Sequence, residues 1–256
     1  MCGRFGVTGE ATLGLVAVLE AMGVTAAADD VPATLAPRYN IAPSTRVLAA
    51  FERAGRDGGA PVRGVAMLRW GLVPHWATDP SIGNRLTNAR SETIATTPAF
   101  RDAWKQARRC LVPADVFYEW QVVPDGADSP PARASRAPKP VKQPWAIGMR
   151  DGATFCFGGL WSTWRGPTNA AEPEAPLHTC TLITTTPNAL VAPIHDRMPV
   201  LVPREHWNAW LSRETPLDVA LGLLVPYDAS AMRAWRVSRA VNSPRNDSAE
   251  LVRPIE

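Results

Sequence analysis

Apolar residues recur along this chain at two periods, and the shorter one dominates. Short runs rich in β-branched and aromatic residues predict strands over 46–51, 65–70, 117–122, 145–149, 154–161, 179–185 and 234–237. The helical period is confined to four stretches. Leu15, Leu19 and Met22, ahead of Gly23, predict a helix over 10–22, and Phe100, Trp104 and Ala107, behind Thr97 as N-cap and Pro98, predict a second. Two more are expected at 204–211 after Pro203, carrying Trp207, Trp210 and Leu211, and at 217–224 after Pro216. Loops rather than regularly spaced crossover helices join the strands, which argues against a doubly wound parallel sheet. The expected fold class is α+β, with mixed or antiparallel sheets forming a barrel-like core and helices at the periphery. Segments 124–142 and 165–176 are rich in Pro, Ala, Ser and Gly, carry too little apolar surface to offset the entropy of ordering, and read as surface loops. No repeat is visible and neither loop borders a stretch with a core of its own, so one domain over 1–256 is expected.

Composition adds mainly exclusions. Hydrophobic residues make up 46% of the 256 and charged residues 20%, a globular balance. No apolar run approaches the roughly 18 residues of a membrane span, so no membrane partner is expected. The start, Met1-Cys2-Gly3-Arg4-Phe5, lacks the basic-then-apolar order of a secretory signal, and a cytoplasmic location is expected. Cysteines at 2, 110, 156 and 180 form no CxxC pair and have no His pair nearby; neither a metal site nor a disulfide framework is expected. A net charge of +3 and a pI near 8.8 permit a polyanionic partner without requiring one. Most of the ten tryptophans are expected in the core, but Trp70 and Trp76 stand beside the structure breakers Gly71 and Pro74, where exposed rings could stack on bases.

The sharpest chemical feature is Cys2. Removal of Met1, which a small second residue permits, leaves one residue carrying both a free α-amine and a thiol. Their reference pKa values, about 7.7–8.0 and about 8.5, put reactive forms of both within reach of neutral pH. Such a 1,2-aminothiol condenses with an aldehyde to an imine, which the thiolate closes to a five-membered thiazolidine. The open-chain form of an abasic deoxyribose is such an aldehyde. A cysteine at position 2 of an arbitrary chain is more often an inert thiol. Here an extended Cys2-Gly3-Arg4 would set a cation on the same face as the thiol, with Gly3 allowing close backbone approach.

Seven blocks of sequence then carry a resemblance: 1–5 (MCGRF), 38–43 (RYNIAP), 70–74 (WGLVP), 88–93 (NARSET), 117–120 (FYEW), 194–199 (IHDRMP) and 237–241 (VSRAV). In that order they resemble the SRAP family, the SOS-response-associated peptidase proteins that recognise abasic sites in single-stranded DNA. The resemblance implies that Cys2 is the covalent nucleophile, that Asn88 orients the N-terminal residue, and that Glu119 and His195 are acid/base groups. It implies single-stranded DNA containing abasic sites as the partner, including single-strand/duplex junctions, with nucleoid association when bound. It implies no cofactor, and a monomer. Arg4, Asn40, Pro43, Trp70, Trp76, Arg90 and Arg197 are the candidate DNA contacts. Taken singly these positions are weaker: strand glutamates are usually solvated, and a lone histidine is more often structural. Two rival readings stay open, a thiol peptidase, autoprocessing only or broader, with Cys2, His195 and Glu119 or Asn88, and a DNA-binding module with no covalent step. Cleavage of the strand by β-elimination is a further side activity the chemistry allows.

Overall fold

The strongest period-2 runs form a closed barrel. The computed structural model describes residues 3–8, 18–24, 26–27, 31, 35–55, 59–123, 141–167 and 175–255. Its strands are β1 (Phe5–Val7), β2 (Ala26–Ala27), β3 (Arg38–Ile41), β4 (Arg46–Arg53), β5 (Val62–Trp70), β6 (Asn88–Arg90), β7 (Arg109–Ala114), β8 (Val116–Val123), β9 (Val141–Met149), β10 (Phe155–Trp164), β11 (Leu177–Thr185), β12 (Met198–Pro199) and β13 (Met232–Arg236). Strands β11, β10, β7, β4 and β5 follow one another by antiparallel pairing, and a parallel pairing of β5 with β11, Cys180 opposite Trp70, closes the ring. A second sheet runs β13-β9-β8-β1-β3. The fold is thus the expected mixed α+β arrangement with a barrel at its centre.

Alternation decides what each face meets. Val47, Ala49, Leu68, Trp70, Cys110, Val112 and Phe157 point into one core, which Phe5, Ile41, Phe117 and Ile147 of the second sheet also enter. Leu48, Ala50, Val65, Leu111 and Ile183 form the outer face, covered by Trp104, Trp207, Trp210 and Leu211 of the short helices Arg101–Lys105 and Trp207–Leu211. Arg109 is buried among them. Its Nε donates to the Trp210 carbonyl at 2.6 Å and its Nη2 to the Ser212 and Thr215 carbonyls, so a cation ends the helix from below. Burial pulls this guanidinium down to about 10, which leaves it charged at neutral pH.

Helix ends follow local chemistry. Of the helix expected over 10–22, residues 10–17 lie outside the described ones; Val18–Ala21 are helical and end at Gly23 (φ 65°). The Gly23 amide donates to the Glu20 carbonyl and the Val24 amide to that of Leu19, the paired bonds of a Schellman motif. The stretch from Thr97 makes a turn and then only Arg101–Lys105 as α-helix. Expected helix 204–211 divides into a 3₁₀ turn, Arg204–His206, and Trp207–Leu211, and 217–224 shortens to Leu217–Gly222. Of the two expected loops, 124–140 and 168–174 lie outside the described residues, while residues 141 and 142 already belong to β9.

The helix Arg101–Lys105 ends as the Gly23 one does, with the Ala107 amide on Trp104 and the Arg108 amide on Ala103, but with Ala107 at φ 49° in place of glycine. A Cβ there costs about 1 kcal/mol. Ala107→Gly is therefore expected to raise stability by a few tenths to 1 kcal/mol, read as a higher urea midpoint at unchanged m-value. A lower midpoint would show that the methyl's packing outweighs the backbone relief.

Candidate functional site

Phe117, Glu119 and Gln121 share one face of β8. Phe117 belongs to the core and Gln121 is half-exposed, so Glu119 sits where that face passes from apolar interior to solvent. It is 1% exposed. Burial pushes its carboxyl up to about 7, and the nearby Asp196 acts in the same direction. The cleft in front of it is lined by Trp120, Val122, Lys142, His195 and Asn242 as well.

His195 arrives from the opposite side on a loop pinned at several points. The Asn188 carboxamide accepts the Leu190 and Val191 amides and donates to the Tyr227 carbonyl, and Gln121 Nε2 donates to the Pro193 carbonyl at 3.0 Å. The Arg197 amide donates to His195 Nδ1 at 3.0 Å. An amide can only donate, so the neutral ring carries its proton on Nε2, which faces Glu119 Oε2 at 3.8 Å. That gap is wider than a hydrogen bond and leaves room for a reacting atom to approach both groups. Asp196 Oδ1 lies 2.9 Å from the same Nδ1 and becomes its partner when the ring is protonated. Burial holds the imidazole below its ordinary range, and Lys142 lowers it further.

The N-terminal strand reaches the same place. Phe5 pairs with Phe117 and Gly6 with Val116, and the Tyr118 amide donates to the Arg4 carbonyl at 3.0 Å. One step further along this antiparallel register stands Gly3 abreast of Glu119. Cys2 itself lies outside the described residues.

A family model described as SOS response associated peptidase (SRAP) matches residues 1–244. The chain belongs to the SRAP family. It is 42% identical over 217 residues to "Abasic site processing protein YoaM" of Bacillus subtilis, covering 84% of each chain. To "Abasic site processing protein HMCES" of Gallus gallus it is 31% identical over 232 residues, covering 86% of this chain and 67% of that one. The crystal structure of a protein from Bacteroides thetaiotaomicron shares the fold, with a TM-score of 0.74 over the full length of both chains at 22% identity. That of a phage-related protein from Bordetella bronchiseptica reaches 0.60 at 29% identity, over 93% of this chain and 95% of that one.

Several SRAP motif residues expected to touch DNA are turned inward. Trp70 ends β5 on its barrel side and is fully buried, with Phe5 packed on its ring at 5.3 Å and its Nε1 bonded to the Thr87 carbonyl; it anchors the N-terminal strand and offers no face to a base. Asn40 is buried too. It accepts from Arg4 at 2.9 Å and donates to the Val241, Ser243 and Asn246 carbonyls, so it fastens residues 241–246 beside the cleft. Arg4 is committed to Asn40 and to the Val241 and Asn242 carbonyls. Arg197 grips Glu92 with both terminal nitrogens, at 2.5 and 2.9 Å, and bonds the Thr184 carbonyl, which fixes the loop bearing His195. Arg90 is exposed on β6, Asn88 and Pro43 are half-buried, and Trp76 is 46% exposed. Sequence reasoning passed over Lys142, Gln121, Asn188, Glu92 and Asn242. Gln121 shares the Glu119 face by simple alternation, and Glu92 lies inside the quoted 88–93 block; Lys142 had no signal, because it closes a stretch of loop composition.

A carboxyl raised from 4.5 to about 7 holds its proton more tightly folded than unfolded, so its contribution to stability is full below pH 4.5 and is lost as pH rises through about 7. Glu119→Gln cannot ionise. Relative to wild type it is expected to gain on the order of 2–3 kcal/mol between pH 5 and pH 8, measured as the difference in urea unfolding free energy. His195, shifted the opposite way, is common to both proteins and cancels. An identical difference at the two pH values would mean that Glu119 ionises as freely as a surface carboxylate.

Proposed function

We propose that this SRAP protein recognises abasic sites in single-stranded DNA, junctions with duplex included, and captures the sugar aldehyde covalently through Cys2. The observation that carries this reading is the cleft in which a carboxyl poised near neutrality faces a neutral imidazole, abreast of Gly3. Chain connectivity keeps the Cys2 Cα about 3.8 Å from that of Gly3. The names of the relatives agree with it, and the other three cysteines support it by elimination. Cys110, Cys156 and Cys180 are buried, and burial pushes their thiols up, Cys180 to about 12.

Each group has a step. The Glu119 carboxylate takes the proton from the C1′ hydroxyl while the C1′–O4′ bond breaks and passes it to O4′, which the His195 Nε2–H steadies by a hydrogen bond as it leaves, so the ring opens to the aldehyde and the carboxylate is restored. The Cys2 α-amine adds to C1′, and loss of water gives the imine. The Cys2 thiolate then adds to C1′ and the nitrogen gains a proton, closing the thiazolidine; aldehyde and aminothiol have become one ring and one water. Asn88 orients the N-terminal residue, and exposed Arg90 and Trp76 offer a phosphate contact and a stacking face. The peptidase of the family's name is satisfied, in this reading, by exposure of Cys2. A protease acting on other chains gains nothing from an α-amine beside its thiol.

Intact-mass measurement is expected to find Met1 absent, and Cys2→Ala to lose the heat-stable adduct with abasic single-stranded DNA on a denaturing gel while non-covalent binding persists. The same adduct formed by Cys2→Ala without reductant would place the bond elsewhere. Glu119→Gln and His195→Ala are each expected to slow capture by about 10²–10⁴ with little loss of binding. Because the carboxylate is the active form, the wild-type rate should rise with pH through about 7. In Glu119→Gln the rise should move to that of the α-amine, about 8. An unmoved profile would remove Glu119 from the chemistry.

A further inference from the structure

Strands β4 and β5 pair so that Arg46 stands directly opposite Arg69. Side chains so placed lie about 4.5–5.5 Å apart at Cβ, and like charges there oppose folding. A third guanidinium reaches the end of the same strand, since Arg38 on β3 donates to the Arg46 carbonyl at 2.9 Å and to the Thr45 hydroxyl. The three are held rather than loose. Arg46 donates to the Met67 carbonyl, and Arg69 to the Pro80 carbonyl and, at 2.6 Å, to the Asn84 carboxamide, which also accepts from Ser44. This face of the ribbon is apolar and covered further along, at Leu48, Ala50 and Val65, and emerges into solvent where the arginines begin.

Their place in the fold gives the cluster a direction. The Ser44 amide donates to the Trp70 carbonyl and the Trp70 amide to that of Thr45, so the Arg46–Arg69 rung abuts the turn that carries Pro43. That turn continues β3, whose Asn40 holds Arg4, and Arg4 in turn holds Asn242 at the cleft. The geometry points to a second nucleic-acid contact: Arg38, Arg46 and Arg69 form a seat for the phosphodiester backbone of the bound strand, reached past the Pro43 turn from the cleft. Guanidinium forks match phosphate oxygens, and an anion between them relieves the repulsion of the facing pair. The seat rests on the DNA-binding reading above and adds to it the face along which the strand leaves.

The test uses the full chain and a labelled single-stranded oligonucleotide without an abasic site, so that Cys2 chemistry does not enter. Arg46→Gln and Arg69→Gln are each expected to lower the slope of log affinity against log salt by about 0.7 and to weaken binding about fivefold at 0.1 M salt. Arg46→Lys should keep the slope. Thermal midpoints of the glutamine variants without DNA, which set the repulsion removed against the Met67, Pro80 and Asn84 bonds lost, should stay well above the assay temperature, so that a changed slope reports binding. Arg233→Gln, on the opposite edge strand β13 of the second sheet, makes the same change in net charge and should leave the slope alone. Unchanged slopes in both glutamine variants, or an equal fall in Arg233→Gln, would overturn the seat. Adduct yield with abasic DNA at saturation reads the capture reaction separately, so failure of one is not failure of the other.

Discussion

Strand β1 is three residues long, and it is wedged between β8 and β3 with every residue fastened. Phe5 sits against Trp70 and Phe157, at 5.3 and 5.4 Å between ring centroids. Gly6 leaves little room for a side chain, because a Cβ would meet Val116 at 3.0 Å and the Arg38 and Tyr39 carbonyls at 3.2 Å. Arg4 is tied to Asn40 and residues 241–242, and Thr8 to Asp115. So short a pairing could not hold itself in water. The barrel core holds it, and the register that follows sets Gly3 abreast of Glu119. The proposed capture reaction needs its groups placed to within about 0.5 Å, a precision that a strand of this size draws from the buried groups around it.

The cleft's chemistry comes from burial more than from charge. Glu119 is pushed toward neutrality because its face of β8 is still almost dry where it stands, and His195 is held neutral for the same reason. The charges around them oppose one another, with Asp196 raising and Lys142 lowering the imidazole. Both are solvent-exposed, where screening weakens them. Position is a separate matter. Asn188, Gln121 and the Glu92–Arg197 pair hold the His195 loop, and the Arg197 amide selects its tautomer.

Arginine in this protein divides into two trades. Arg109 ends a helix from inside the core, Arg4 and Arg197 brace the segments around the cleft, and each spends its guanidinium on carbonyls or a carboxylate. Arg46 and Arg90 stand exposed on strand ends, and half-buried Arg69 faces Arg46 across the β4–β5 rung, each of that pair reaching solvent while bonded to a nearby carbonyl. A net charge of only +3 conceals this, because the total does not say which cations lie inside and which reach solvent.

Where a signal is local, the sequence by itself determined the outcome: Gly23 ending its helix, prolines opening the helices at 204 and 217, and the long alternating strands around 46–51, 65–70 and 179–185 all lie where their residues put them. Strand β7 escaped notice because Arg109 and Pro113 interrupt its apolar run, although all six of its residues are buried. Closure of the barrel through β5 and β11 joins residues more than a hundred positions apart, and no short window contains it. The motif blocks pointed to Glu119 and His195, which the fold does bring within 3.8 Å, yet they could not tell Trp70, Asn40, Arg4 and Arg197 from surface contacts. Alternation states which side chains share a face of a strand. Which face is covered depends on the partners packed against it, and for those four residues only the tertiary structure decided.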